Sequence, residues 1–184
     1  MRSQFSRWPQ SLVVASMVAL FPLTPAMAQV SQPDAVQIKA GWYSKIVDAE
    51  FVKPLAVIPK ADDAVLIDSR PTARKYDLGH IPTAVNIPDL SFDKLAPNLL
   101  PKDKGKLLVF YCDGPECTLS HSSAFKAEKL GYTNVRVYAD GFPDWVKKGN
   151  LAAVSVAHIK KQMDEKATMT LIDSRPKERK FDLG

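Results

Sequence analysis

The sequence lacks several features that would mark a fibrous, disordered or membrane-embedded protein. Glycine is scarce, with eight residues in 184, which excludes a collagen-like repeat. After the N-terminal segment there is no uncharged apolar run of about eighteen residues, so a multi-spanning membrane protein is also excluded. Because 46% of the residues are hydrophobic and 24% are charged, the composition is that of a folded protein with a buried core.

Charge of one sign is not concentrated anywhere in the chain. The 25 Lys and Arg residues are interleaved with 20 Asp and Glu residues, for a net charge of +5, and no block of five like charges occurs. A nucleic-acid-binding surface normally shows a basic patch or stripe. We therefore expect no nucleic-acid partner.

The N-terminal segment has the three parts of an export signal. Arg2 and Arg7 precede a mostly apolar run, Ser11–Leu23, which is too short to span a bilayer, and Ala26–Ala28 supplies small residues for cleavage before Gln29. We predict that residues 1–28 are a signal peptide and residues 29–44 a lead segment. The mature protein is then periplasmic or secreted, with no membrane span.

A long internal repeat is present. Eleven of fourteen residues are identical between Leu66–Gly79 and Leu171–Gly184, which are offset by 105 residues, the size of a small domain. We therefore interpret residues 151–184 as the start of a second, truncated copy. Either the chain is a fragment of a longer tandem protein, or this tail packs on the first copy.

Short apolar runs alternate with helical patterns through the first copy. Asp48 can cap one helix, and Thr118 or Ser120 can cap another that Gly131 ends. Strands bracketed by helices are typical of a largely parallel α/β sheet covered on both faces. The predicted strands are Val65–Ile67, Val85–Ile87, Leu107–Tyr111 and Val135–Tyr138.

Cys112 follows the most apolar of these strands, Leu107–Tyr111, and precedes a helix near Ser120. In parallel α/β sheets the chemistry lies at the carboxyl ends of the strands. The amides and dipole of a helix N-terminus would stabilise a thiolate there. Cys112 is therefore a candidate nucleophile, and the alternative is an inert, buried core cysteine.

Several segments resemble the rhodanese family, in its order and at nearly its spacing, across about Val47 to Gly149. These segments are Val65–Arg70, Tyr76–Pro88, Phe110–Cys112, Gly131–Tyr132 and Val137–Trp145. The resemblance implies a rhodanese-like three-layer domain over residues 45–150, with a mostly parallel five-stranded sheet flanked by helices.

The resemblance also implies a chemistry. A strand-end cysteine, here Cys112, accepts sulfane sulfur as a persulfide and passes it to a thiol acceptor, with no cofactor. Asp68, Arg70 and His80 fall in the family's motifs as supporting residues. We expect Asp68 to organise the cleft by bonding loop amides or pairing with arginine, and His80 to be a hydrogen-bonded turn residue rather than an acid or base.

The loop after Cys112 departs from the family pattern. It is about two residues longer than the usual glycine-rich loop, and it contains no Arg or Lys. The loop also holds two carboxylates, Asp113 and Glu116, close to the Cys112 sulfur. They should repel a dianion such as thiosulfate, so we expect poor thiosulfate activity. The position six residues after the cysteine is also not Arg, which excludes the phosphate cradle of phosphatases and arsenate reductases. The active-loop residues are Asp113, Gly114, Pro115, Glu116, Thr118, Leu119 and Ser120.

Cys117 admits three interpretations. It could resolve a Cys112 persulfide by releasing sulfide and forming a disulfide, or it could form a plain stabilising bridge or pack at the helix start. A metal site from both cysteines and His121 supplies only three ligands at non-standard spacing, so we expect no metal. The sequence alone does not establish whether the two cysteines are bonded.

Two functions remain. The first is an exported sulfurtransferase or persulfide carrier that works through Cys112, with a sulfane-sulfur donor and a thiol acceptor as partners. The second is a catalytically idle rhodanese-like binding module, locked by a Cys112–Cys117 disulfide, that presents a surface to a protein partner.

The export signal gives the first testable prediction. We expect protein produced in a host with a general export pathway to begin at Gln29 in the periplasmic or secreted fraction, because Ala26–Ala28 supplies the cleavage site. N-terminal sequencing of that fraction checks the prediction. Soluble cytosolic protein that retains Met1 would contradict it.

Overall fold

The computed structural model describes residues 41–172 and residue 174. Its centre is a five-stranded sheet in the order β1-β5-β4-β2-β3, in which all neighbouring strands are parallel. This confirms the predicted fold class. The strands are β1 (Ile46–Val47), β2 (Ala64–Asp68), β3 (Val85–Asn86), β4 (Leu107–Tyr111) and β5 (Val135–Tyr138).

Helices cover both faces of this sheet. The α-helices are α1 (Ala49–Val52), α2 (Phe92–Leu99), α3 (Leu119–Lys129), α4 (Gly141–Lys147) and α5 (Val156–Asp164). Short 3₁₀ turns follow α1 at Lys53–Leu55 and precede α2 at Asp89–Ser91, and a π-helical turn spans Thr72–Tyr76.

The alternation of strand side chains divides the core into two layers. On one face, Ile67, Phe110 and Val137 pack with residues of α2 and α3. On the other face, Val109 and Tyr138 pack with residues of α1 and α4. Successive strand residues point to opposite faces, so a parallel sheet buried on both sides needs continuous apolar strands. The sequence of β4, Leu-Leu-Val-Phe-Tyr, meets that need.

Local sequence signals set the ends of the helices. The Asp48 side chain accepts a hydrogen bond from the amide of Phe51 and caps α1. Gly131 has φ +90° just after α3, a conformation that favours glycine. Thr118 occupies the N-cap of α3 without a side-chain capping bond. Ser120 lies inside the helix, so the alternative that Ser120 caps it is wrong.

The segment that follows α4 forms backbone hydrogen bonds with the turn before β3. His80 and Ala153 exchange two hydrogen bonds of 2.9 Å, and the amide of Ser155 donates to the carbonyl of Asp77. Helix α5, which follows these bonds in the chain, has no buried residues. The predicted signal peptide lies outside the described residues, as does the repeated segment Leu171–Gly184 except for Leu171, Ile172 and Ser174.

Across the described ranges, no helix is both long and apolar enough to cross a membrane.

The start of α4 gives a prediction about folding. Gly141 has φ +63°, and a Cβ added there would overlap the backbone carbonyl of Cys112. Because backbone cannot move aside as a flexible side chain can, we expect Gly141→Ala to lower the free energy of unfolding by more than about 2 kcal/mol. Urea denaturation measures this change.

Gly131 is the matched control, because its φ is also positive but nothing lies within 4 Å of an added Cβ. Gly131→Ala should show only the left-handed backbone cost, about 1–2 kcal/mol. Equal losses in the two variants would contradict a steric role for Gly141.

Candidate active site

Cys112 begins a loop that leaves the carboxyl end of β4, the middle strand of the sheet, and enters α3 at Leu119. The cysteine is fully buried. Within the loop, Gly114 is also buried, Asp113 and Cys117 are half-buried, and the exposed residues are Pro115, Glu116 and Thr118. The topology therefore places Cys112 at the carboxyl end of the central strand, as predicted from the sequence.

Cys112 and Cys117 form a disulfide bond across this loop, with 6.3 Å between their Cα atoms. The sequence left this bond undecided, and the described structure contains it. The Sγ atom of Cys112 lies 3.3 Å from the carbonyl oxygen of Cys117 and accepts a hydrogen bond of 3.4 Å from the hydroxyl of Ser120. The sulfur of Cys112 therefore contacts the first turn of α3.

The start of α4 supports this loop from behind. The amide of Phe142 donates to the carbonyl of Cys112 over 2.9 Å, and the amide of Cys117 donates to the carbonyl of Gly114 over 2.9 Å. Gly141 permits the close approach because it has no side chain. These bonds fix the backbone on both sides of Asp113.

A buried ion pair lies next to the loop, at the end of β2. Arg70 donates from Nη2 to Oδ2 of Asp68 over 2.6 Å and from Nε to Oδ1 over 2.9 Å, and its backbone amide also donates to Oδ1. The side chains are only 2% and 0% exposed. Burial alone lowers the pKa of Arg70, but the hydrogen bonds and charge of Asp68 raise it overall. Asp68 thus pairs with Arg70, one of the alternatives that the sequence offered.

Arg70 extends this network to two other segments. Its Nη2 donates to the carbonyl of Gly79 over 2.8 Å, and its Nη1 donates to Oδ1 of Asp113 over 3.2 Å. Lys75, in the π-helical turn, pairs with Oδ2 of Asp113 over 2.8 Å. The cysteine loop has no Arg or Lys of its own, but Arg70 and Lys75 from outside the loop both bind the carboxylate of Asp113.

Tyr111 packs under this network as the last residue of β4. Its hydroxyl accepts a hydrogen bond from the amide of Ile81 over 3.1 Å, and the guanidinium of Arg70 lies 5.6 Å from its ring centre. Burial, and then the negative charge of Asp68, raise the pKa of Tyr111 well above its ordinary value. Tyr111 is therefore held in its neutral form and packs as a buried support beneath Arg70.

The recorded contacts of His80 are with the turn before it and with the chain after α4. Its ring stacks on Tyr76 with 3.8 Å between centroids, and Nδ1 donates to the carbonyl of Tyr76 over 2.8 Å. Its backbone pairs with Ala153. This placement is that of a hydrogen-bonded turn residue, and the structure does not bring it into the cysteine loop.

His121, the third ligand of the metal interpretation, is also engaged elsewhere. Its Nδ1 accepts a hydrogen bond from the amide of Tyr43 over 3.1 Å, its ring packs 4.4 Å from that of Trp42, and burial lowers its pKa. Within residues 41–172, no group of three potential ligands converges on one point.

Sequence reasoning missed three residues of the site: Lys75, Tyr111 and Phe142. Lys75 reaches Asp113 from a turn 38 positions away in the chain, and the Phe142 ring lies 4.5 Å from the guanidinium of Arg70. Neither contact leaves a local sequence signal. Tyr111 directly precedes Cys112, and its position at the end of a buried strand was the available clue.

Comparisons with known proteins agree with this architecture. Residues 52–148 match the family described as Rhodanese-like domain. The BH2092 protein from Bacillus halodurans is similar in structure, with a TM-score of 0.53 and 26% identity over 60% of this chain and 77% of that one.

Two curated relatives extend the comparison. A thiosulfate:glutathione sulfurtransferase from Saccharomyces cerevisiae is 30% identical over 123 residues, which cover 58% of this chain and 82% of that protein. An HTH-type transcriptional regulator from Mycobacterium tuberculosis is 29% identical over 126 residues, 68% of this chain; the chain spans about half of that regulator, 54% of its length.

The family match covers more than half of the chain and includes β4, the cysteine loop and the helix that supports it. This agrees with the resemblance in the sequence and with the five-stranded parallel sheet. The chain therefore belongs to the rhodanese-like domain family, and a sulfurtransferase is among its relatives.

Proposed function

We propose that this protein is an exported sulfurtransferase that carries sulfane sulfur as a persulfide on Cys112. The observation that carries the proposal is the position of Cys112, at the end of the central strand with its Sγ in contact with the first turn of α3. When the disulfide is reduced, the helix N-terminus and the Ser120 hydroxyl stabilise a Cys112 thiolate. Export rests on the predicted signal peptide.

The sulfur transfer needs only the donor and the acceptor. The Cys112 thiolate attacks the sulfane sulfur of the donor, a sulfur–sulfur bond forms on Cys112, and the donor's own bond to that sulfur breaks with departure of its remaining anion. A thiolate acceptor then attacks the outer sulfur, takes it as a new persulfide and leaves Cys112 as a thiolate. No oxidant or reductant is consumed.

Cys117 adds a second fate for the bound sulfur. Because the loop allows the two cysteines to bond, a Cys117 thiolate can attack the inner sulfur of the Cys112 persulfide. A Cys112–Cys117 disulfide forms and the outer sulfur leaves as hydrosulfide, so the two cysteines are oxidised while the sulfane sulfur is reduced. A thiol reductant must then reopen the disulfide before another turnover.

The name of the yeast relative suggests thiosulfate as donor and glutathione as acceptor. For this chain we propose a donor of low charge, such as an organic polysulfide or a protein persulfide. The cysteine loop itself lacks Arg and Lys, and the two cations that contact it from outside, Arg70 and Lys75, are already paired with Asp113, so the loop offers an anionic donor no free cation of its own.

A second function is favoured by the disulfide itself. With Cys112 bonded and fully buried, the oxidised protein has no free cysteine thiol to accept sulfur, and its rhodanese-like surface would serve to bind a protein partner. This binding module and the carrier differ in one property, because only the carrier takes up sulfur after reduction.

Cysteine variants separate these functions. In reduced protein supplied with a polysulfide and a thiol acceptor, we expect Cys112→Ser to reduce sulfur transfer to the uncatalysed rate. Cys117→Ser should retain transfer and hold its persulfide several-fold longer, because no neighbouring thiol resolves it. Initial rates and the decay of the persulfide after removal of the donor measure the two effects.

Ser122→Ala is the control for general disturbance of α3, since this half-buried residue lies in the helix but outside the active loop, and it should match the wild-type rate. Full activity in Cys112→Ser would contradict the proposed carrier. Activity absent from reduced wild-type protein as well would favour the binding module.

A further inference from the structure

A groove of about 450 Å³ runs alongside the start of the cysteine loop. It lies between the π-helical turn and α4, and Asp113 forms part of its wall. The charged lining residues are Arg70, Arg74, Lys75 and Asp113, and Leu78 and Phe142 supply apolar surface. Three cations therefore face a single carboxylate in this groove, and that carboxylate belongs to the residue directly after Cys112.

The carboxylate of Asp113 is held in the manner of a bound ligand. One oxygen lies 3.2 Å from Nη1 of Arg70, and the other lies 2.8 Å from Nζ of Lys75. A guanidinium and an ammonium that contact two oxygens of one group form an arrangement suited to a carboxylate or a sulfonate. Arg74 has no ion-pair partner among residues 41–172 and adds positive charge beside them.

Arg70 is preorganised for this contact. Its Nε and Nη2 are occupied by Asp68 and by the Gly79 carbonyl, so Nη1 is the group that reaches Asp113. The ring of Phe142 lies 4.5 Å from the guanidinium carbon and fixes it further. The guanidinium would stay in place if Asp113 moved away, because its other contacts do not involve the loop.

We propose that Arg70 and Lys75 form a binding site for the oxyanionic end of a sulfur compound, and that Asp113 occupies this site as an internal competitor. The proposal rests on the proposed function in naming the substrate class at the same loop. It gives a structural reason for the expected poor activity with thiosulfate, because the cations that would bind a dianion are present but a carboxylate of the protein itself already occupies them.

The oxyanion could come from two sources. It could be the sulfonate-like end of an inorganic donor such as thiosulfate, or a carboxylate of a small thiol acceptor. Sulfate and acetate are unreactive probes of these two chemistries, so binding can be measured without sulfur transfer.

The experiment is a titration of oxidised protein, which keeps the disulfide, with sodium sulfate and separately with sodium acetate. Ionic strength is held constant with sodium chloride, and NMR shifts of the Arg70 and Lys75 resonances report binding. We expect Asp113→Asn to bind sulfate roughly tenfold more tightly than wild type, because removal of one charge in contact with two cations frees both. A larger gain for acetate than for sulfate would assign the site to carboxylates.

Two further variants make the result specific. Glu116→Gln removes the same charge from the same loop, and Glu116 does not line the groove where the structure describes it, so this variant should gain less than threefold. Adding Lys75→Met to Asp113→Asn should abolish the gain in sulfate affinity. Asp113→Ser removes the carboxylate with a different side chain and should show the same gain as Asp113→Asn, so that a folding defect in one variant does not decide the result.

Unchanged sulfate and acetate affinity in both Asp113 variants would overturn the proposal. An equal gain in Glu116→Gln would also overturn it, because general repulsion would then explain the effect. This result can be told apart from the proposed function. If the Asp113 variants bind sulfate or acetate more tightly but Cys112 never carries sulfur, the oxyanion site is retained and the sulfur carrier is rejected. If Cys112 carries sulfur but the Asp113 variants bind no more tightly, the carrier is retained and the oxyanion site is rejected.

Discussion

The buried ion pair between Asp68 and Arg70 is the interaction on which the candidate site depends. It joins the end of β2 to the Gly79 carbonyl and, through Nη1 of Arg70, to Asp113 in the cysteine loop. Loss of one partner from a buried pair leaves an uncompensated charge and typically costs about 3–5 kcal/mol. The same carboxylate helps to keep Tyr111 neutral. The placement of the Asp113 side chain therefore depends on an ion pair at the end of the neighbouring strand.

The cysteine loop combines a firmly held backbone with a disulfide bond that can be reduced. Gly141 and the amide of Phe142 hold the Cys112 carbonyl, whereas the bond to Cys117 can be opened by reduction. In the oxidised form the sulfur of Cys112 is bonded, buried and in contact with the Ser120 hydroxyl at the start of α3. Reduction would free it there as the proposed nucleophile. The proposed carrier uses both forms, and we propose that the Asp113 contact with Arg70 and Lys75 determines which donors are accepted.

The elements that depend on local pattern could be predicted from the sequence. The bounds of β4 and β5 agree with the predicted runs, and Asp48 caps its helix, because burial periodicity and capping are encoded within a few residues. The two-residue strand β1 is too short to leave a pattern. The pairing of Asp113 with Lys75 could not be predicted, since it joins two loops that only the folded sheet brings together. The disulfide was undecided for the same reason, because its distance depends on the path of the loop.

Intact-protein mass spectrometry can show whether Cys112 carries sulfur and whether Cys117 displaces it as sulfide when no thiol acceptor is present. Reduced wild-type protein is mixed with one equivalent of an organic polysulfide, and mass and released sulfide are followed over time. We expect a species heavier by one sulfur atom, with the addition mapped to Cys112, followed by its conversion to the disulfide form with one sulfide released per chain. Disulfide formation without a sulfur-loaded species or sulfide release, or an addition mapped to Cys117, would contradict it.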